Sequence, residues 1–171
     1  MNRNYLLALL IAVVAGHNPC AGQSTAIASA SASIVAPISM AKTVDMNFGN
    51  AATTATLGGT ITLAPDGSRI TGGAGVTLPA TAGTVSAASF VVSGAPGFTY
   101  AITLPASALL HGPGSASLLV DAFTSSPAAT GTLSPTGNQT LLVGATLNIA
   151  AAQTPGVYTN AAGVPVIVNY N

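Results

Sequence analysis

Charge is what this sequence has least of: three basic and three acidic residues in 171. Outside the first few residues only Lys42 and Arg69 are cationic. That excludes the basic footprint on which nucleic-acid binding depends. A surface this neutral also lacks the usual electrostatic protection against self-association. Cysteine occurs once, at Cys20, so no intrachain disulfide and no thiolate metal site can form. Tryptophan is absent, which together with the lack of a cysteine pair excludes an antibody-type core. His111 has no second histidine or cysteine near it in sequence to share a metal. Asp66 is explained by a turn, and Asp45 and Asp121 by solvent-facing strand positions, so no carboxylate pair for acid–base work is expected. The glycine-rich pieces "LGGT", "ITGGAG" and "GAPG" lack phosphate-loop spacing and lead into strands. The expectation is a protein that is no enzyme and needs no cofactor.

What is present begins with a leader. Residues 1–22 carry one positive charge, Arg3, then an uncharged apolar run from Leu6 to Gly16 and small residues at Cys20 and Gly22. That is the anatomy of a secretory signal peptide, with a signal helix and a cut near Gln23. The run is interrupted by His17, Asn18 and Pro19 and falls short of the roughly 20 apolar residues of a membrane span. The mature chain is therefore expected in the periplasm, on the outer surface or in the medium, with no membrane span. In that setting "NQT" at 138–140 is read as a chance match to a glycosylation sequon.

Residues 23–33 form an Ala/Ser-rich leader in which Ala26, Ala28, Ala30 and Ala32 alternate with other residues. The even-numbered apolar set continues through Ile34, Ala36, Ile38 and Met40, and a strand is expected from Ile34 onward. Val44, Met46 and Phe48 alternate on one face of "KTVDMNFG". Two strands within 55–73 are joined by Pro65-Asp66-Gly67, where proline presets φ and glycine accepts the positive φ that hairpins require. Strand-length runs follow at "GVTLP", "SFVVSG", "GFTYAITLP", "SASLLVDAFTS" and "TLLVGATLNIAA". No helical stripe follows the leader.

Short strands at near-regular spacing, punctuated by Gly, Pro, Asn and Asp, predict an all-β, immunoglobulin-like β-sandwich over residues 34–171. A parallel β-helix is the structural alternative, but no repeat of fixed period is seen. The closing "VPVIVNYN" is expected to be a strand built into a sheet, because an apolar end that is not tied down would fray.

The segments "VDMNFGN", "GGTITLAPDGSRITGGAGVTL", "ASFVVSGAPGFTYAITLP" and "LLVGATLNIAAAQTPGVYTNAAGVPVIVNY" resemble a bacterial secreted domain family of unknown function, the one numbered four thousand four hundred and two. That resemblance implies the domain and no catalytic residue. The closing pattern, with Tyr170 near the end, is also similar to pilins of the chaperone-usher route. This second resemblance implies an incomplete, pilin-like sandwich completed by the N-terminal extension of another subunit. On that reading Ile34, Ile38 and Met40 would be the donated side chains. Val164, Val166, Val168 and Tyr170 would form the C-terminal edge strand bordering the groove. Expected partners are other copies of the chain or a periplasmic assembly chaperone. The alternative is a monomeric binding module for a glycan or protein, using loops 105–115 and 125–139.

Overall fold

The computed structural model describes residues 22–171. The expected signal helix at 1–22 lies, but for Gly22, outside the described residues. Contacts divide the chain into two units, Met1–Ile34 and Val35–Asn171. In the first, residues 22–34 are exposed and form no strand.

The second holds twelve strands and, among the described residues, no helix. In chain order they are β1 (Ser39–Val44), β2 (Ala52–Thr53), β3 (Gly59–Leu63), β4 (Arg69–Gly72), β5 (Val76–Thr77) and β6 (Ala88–Ser93). Then come β7 (Thr99–Thr103), β8 (Ser107–His111), β9 (Ser117–Ser126), β10 (Thr130–Thr132), β11 (Asn138–Ile149) and β12 (Ile167–Tyr170).

Strand β11 organises the rest. Its inward positions Leu141, Val143, Ala145, Leu147 and Ile149 are all buried, a period-two stripe along most of its length. One edge pairs with β9 over Leu142–Asn148. The opposite edge pairs first with β6, over Asn138–Val143, and then with β3, over Ala145–Ile149. The change of partner falls at Gly144, where a Cβ would collide with the carbonyl oxygen of Leu63. Beyond these neighbours β1 extends from β6, β4 from β3 and β8 from β9.

Opposite Ala145 the register of β9 slips, and β9 carries an extra residue there, with Ala122 at φ 47°. A bulge reverses which side chains face inward. Leu118 and Val120 point into the core before it, and Phe123 packs into the core after it.

Two separate small sheets, β10-β7-β12 and β2-β5, complete the molecule. The core has two clusters. Ile61, Leu63, Leu118, Val120 and Leu147 belong to one; Val92, Tyr100, Leu133, Leu141 and Val143 belong to the other. Met46 and Phe123 pack against both. The architecture is all-β, and curled sheets over a shared apolar interior are consistent with a β-sandwich.

The Pro65-Asp66-Gly67 turn forms as expected, with Gly67 at φ 86° and Ala64 N–H donating to Ser68 O at 2.9 Å. Asp66 Oδ1 accepts from Ser68 N–H at 2.9 Å and from Ser68 Oγ at 2.7 Å. These bonds hold its carboxyl below the ordinary value.

Several expectations are corrected. The first strand begins at Ser39 and not at Ile34, because Pro37 has no N–H and pushes the residue before it out of a regular ladder. The last strand begins at Ile167 and not at Val164; Pro165 interrupts it for the same reason. Val44 does not share the inward face of Met46 and Phe48. It is 43% exposed, since the register of β1 slips between Lys42 and Val44. The segments 105–115 and 125–139, expected as loops, contain β8 and β10.

Tyr100 is fully buried, and its hydroxyl donates to Gln139 Oε1 at 2.7 Å. Burial lifts its pKa above the ordinary 10.0. A folded-state value above the unfolded one means that this stabilisation is complete below about pH 10 and is lost as pH rises through the folded value. Thermal melts across the alkaline range should therefore show a loss of stability beginning near pH 10 that is shallower in Tyr100→Phe. At neutral pH that variant should be less stable by about 1–2 kcal/mol, having left Gln139 without its donor.

Candidate functional site

A groove of about 1030 Å³ opens on the described residues. One wall is Lys42 of β1 and the chain that follows, from Asp45 to Thr53; the other is the irregular segment 153–166 between β11 and β12. Between them lie side chains of the core: Ala88 and Phe90 of β6, Val143 and Leu147 of β11, Val120 of β9 and Leu110 of β8.

Each wall is fastened by a few polar contacts. Asn47 and Ser86 exchange backbone hydrogen bonds at 2.8 and 3.0 Å. Asn50 N–H donates to Ala82 O at 2.7 Å, and its Nδ2 donates to Thr81 O at 3.1 Å. Arg69 Nη1 donates to the carbonyl oxygens of Phe48 and Asn50, so one guanidinium on β4 holds the loop at Gly49. On the other wall His111 and Thr159 exchange backbone bonds at 2.8 and 2.9 Å. Gln153 Nε2 donates to the Tyr158 hydroxyl at 2.8 Å, and that hydroxyl donates to Thr154 O at 2.6 Å.

Lys42 and Asp45 are the charged residues on the groove, and they pair with each other at the surface, where such pairs contribute little. Among the described residues no three of His, Cys, Asp and Glu gather as a metal cluster would require. His111 ends β8, where its backbone joins the groove wall. What this arrangement presents chemically is an apolar floor with uncharged polar groups and one surface ion pair on its walls, and no cluster of groups for acid–base or metal chemistry among the described residues.

The residues singled out in the sequence fall in three places. Ile34 is 98% exposed and outside any strand. Ile38 and Met40 are used within their own chain: β1 pairs with β6, and both side chains pack against the Tyr100 cluster. Val164 and Val166 line the groove, while Val166, Val168 and Tyr170 pack against that same cluster. Strand β12 pairs with β7 and stands at the margin of its sheet, as β1 does of its own. Sequence reasoning missed Arg69, since a lone cation in a hairpin carries no signal of what it reaches. It also missed Ala88 and Phe90 as groove residues, though their strand was legible.

Tyr170 joins three segments. Its hydroxyl accepts from Ala95 N–H at 2.7 Å and donates to Ala36 O at 2.9 Å. Its ring meets Phe98 edge-on at 5.7 Å between centroids.

These features define an all-β domain with a groove, floored by core side chains, between the segment that follows β1 and the segment that precedes β12. The family model described as "Domain of unknown function (DUF4402)" matches residues 38–170, from the approach to β1 to the end of β12, and the chain belongs to that family. No curated protein and no solved structure shows a significant match to the chain.

If Arg69 fastens the first wall, Arg69→Ala should cost about 1–3 kcal/mol, as expected for lost hydrogen bonds from a charged group. Limited proteolysis should then cut within 47–51, between β1 and β2, before any strand. Unchanged cleavage there would show that the wall is held without it.

Proposed function

We propose that the protein is a non-enzymatic, exported structural subunit, pilus-like or adhesive, that assembles at the cell surface by pairing a β-strand with another copy. The observation that carries this reading is the groove of about 1030 Å³, with apolar core side chains at its floor and polar residues on its walls, set beside the marginal strands β1 and β12. A strand entering there would find main-chain partners at a rim and apolar side chains beneath, which is the chemistry of β-strand addition. An open margin of this kind is an association hazard unless something pairs with it.

The donor on this reading is the exposed segment before β1. Ala26, Ala28, Ala30, Ala32 and Ile34 alternate in phase with Ile38 and Met40, so one face of the segment would be apolar if it were extended. Ile38 and Met40 remain in their own sheet, and the donated residues end near Ala36. An alanine-rich donor gains little from side-chain burial, about 1.5–3 kcal/mol for Ile34. Most of the attraction would come from ladder hydrogen bonds, each worth roughly 0.5–1.5 kcal/mol. A periplasmic chaperone would cover the groove until a second copy arrives, and the immunoglobulin-like, pilin-like type of sandwich belongs to this same proposal.

Sedimentation of residues 23–171 should show oligomers that grow with concentration, whereas a chain beginning at Val35, which keeps the Ala36 carbonyl, should be folded and monomeric. A peptide covering 24–36 should bind the shortened chain and block growth of the full one. A full chain that stays monomeric at every concentration, with 23–36 freely cut by protease, would overturn the proposal. A binding module would then be the reading to pursue.

A further inference from the structure

We propose that the Tyr170 hydroxyl is a latch that keeps β1 in its own sheet and so makes Ala36 the last residue the chain can offer to a second copy. The part concerning a second copy rests on the strand-pairing reading above; the latch itself does not.

Strand β1 is held lightly. It has six residues, one hydrogen-bonded neighbour and mostly exposed side chains, and its register slips between Lys42 and Val44. Ile38 and Met40 supply its packing, and both are only half-buried. A segment with so little apolar contact belongs to the low-stability end of a fold and opens locally before the rest.

The chain enters β1 through Ala36 and Pro37. Proline offers no N–H, so a regular ladder cannot start there. The Ala36 carbonyl takes its hydrogen bond from Tyr170 instead, at 2.9 Å. That hydroxyl is itself oriented by Ala95 N–H at 2.7 Å, two residues beyond Ser93, which faces Ser39 on the first rung of the β1–β6 ladder. The Phe98 ring edge and the second core cluster hold the tyrosine ring in place. One hydroxyl thus ties the end of β12, the turn after β6 and the root of the N-terminal segment at the point where fraying of β1 would begin. Without it the Ala95 N–H loses its acceptor, the Ala36 carbonyl its donor, and β1 can open from Ser39 to the slip before Val44. A released β1 can pair with β6 of a second copy. That closed exchange competes with open assembly through residues 23–36.

Hydrogen exchange on the full chain, at concentrations where it is monomeric, tests this directly. In Tyr170→Phe the amides of 39–44 should exchange about 2- to 10-fold faster, the range that one net hydrogen bond supports, with β11 amides unchanged. Phe98→Leu, at an exposed position that does not endanger folding, should show the same pattern more weakly by loosening the ring. If 39–44 keep their protection in both variants, the latch is refuted. If β11 loses protection in proportion to β1, Tyr170 is general packing and the proposal is equally refuted. Selective loss at 39–44 in a chain that never forms oligomers would uphold the latch and remove the strand-pairing reading.

Discussion

Strand β11 is hydrogen-bonded along both edges, and on one of them it changes partner from β6 to β3 at Gly144. Both partners can approach because Gly144 has no side chain: a Cβ would meet the Leu63 carbonyl that ends β3. The two core clusters follow from this arrangement. Val143 and Leu141 serve the one built with β6, while Ala145, Leu147 and Ile149 serve the one built with β3 and β9. The bulge at Ala122 is the compensation on the facing strand. It keeps β9 paired through the change and hands the inward position from Val120 to Phe123, which packs against both clusters.

With the interior organised around one strand, the margins of the sheets are where the proposed strand pairing would take place. Sheets that end in β1 and β12 leave main-chain groups without ladder partners among the described residues, and the neutral surface offers few charges to discourage a neighbour. Tyr170 closes one end of that margin by holding Ala36. The groove walls are fastened separately, by Arg69 on one side and by the His111–Thr159 bridge on the other. The fold satisfies its own core and still leaves a groove beside the strands at its margins.

Much of the fold was legible in the residues. The Pro65-Asp66-Gly67 turn was readable because each residue has one local job, and β9 and β11 because each is a strand-length apolar run bounded by turn residues. β8 was not, since "SALLH" sits between Pro105 and the Gly112-Pro113 pair, and punctuation on both sides of five residues looks like a loop. The slip in β1 and the bulge in β9 were hidden because they answer to a partner strand, not to local preference. The alternation of Ile34, Ile38 and Met40 showed which side chains share a face but could not show whose sheet that face meets. Of the candidate site, Val164, Val166 and Tyr170 could be found from the closing strand pattern. Arg69, Ala88 and Phe90 could not, because their place depends on contacts between segments far apart in sequence.

The central claim is that residues 23–36 of one copy lie in the groove of another. Residues 23–171 contain no cysteine, so Ala30→Cys combined with Val164→Cys introduces two thiols and no others. Mild oxidation of the folded double variant, followed by non-reducing electrophoresis, reports directly whether they meet between chains. The account expects a ladder of covalent multimers that collapses on reduction and is absent in either single variant beyond the dimer. Folded protein that remains monomeric under oxidation, with both thiols free or joined only within one chain, would contradict it.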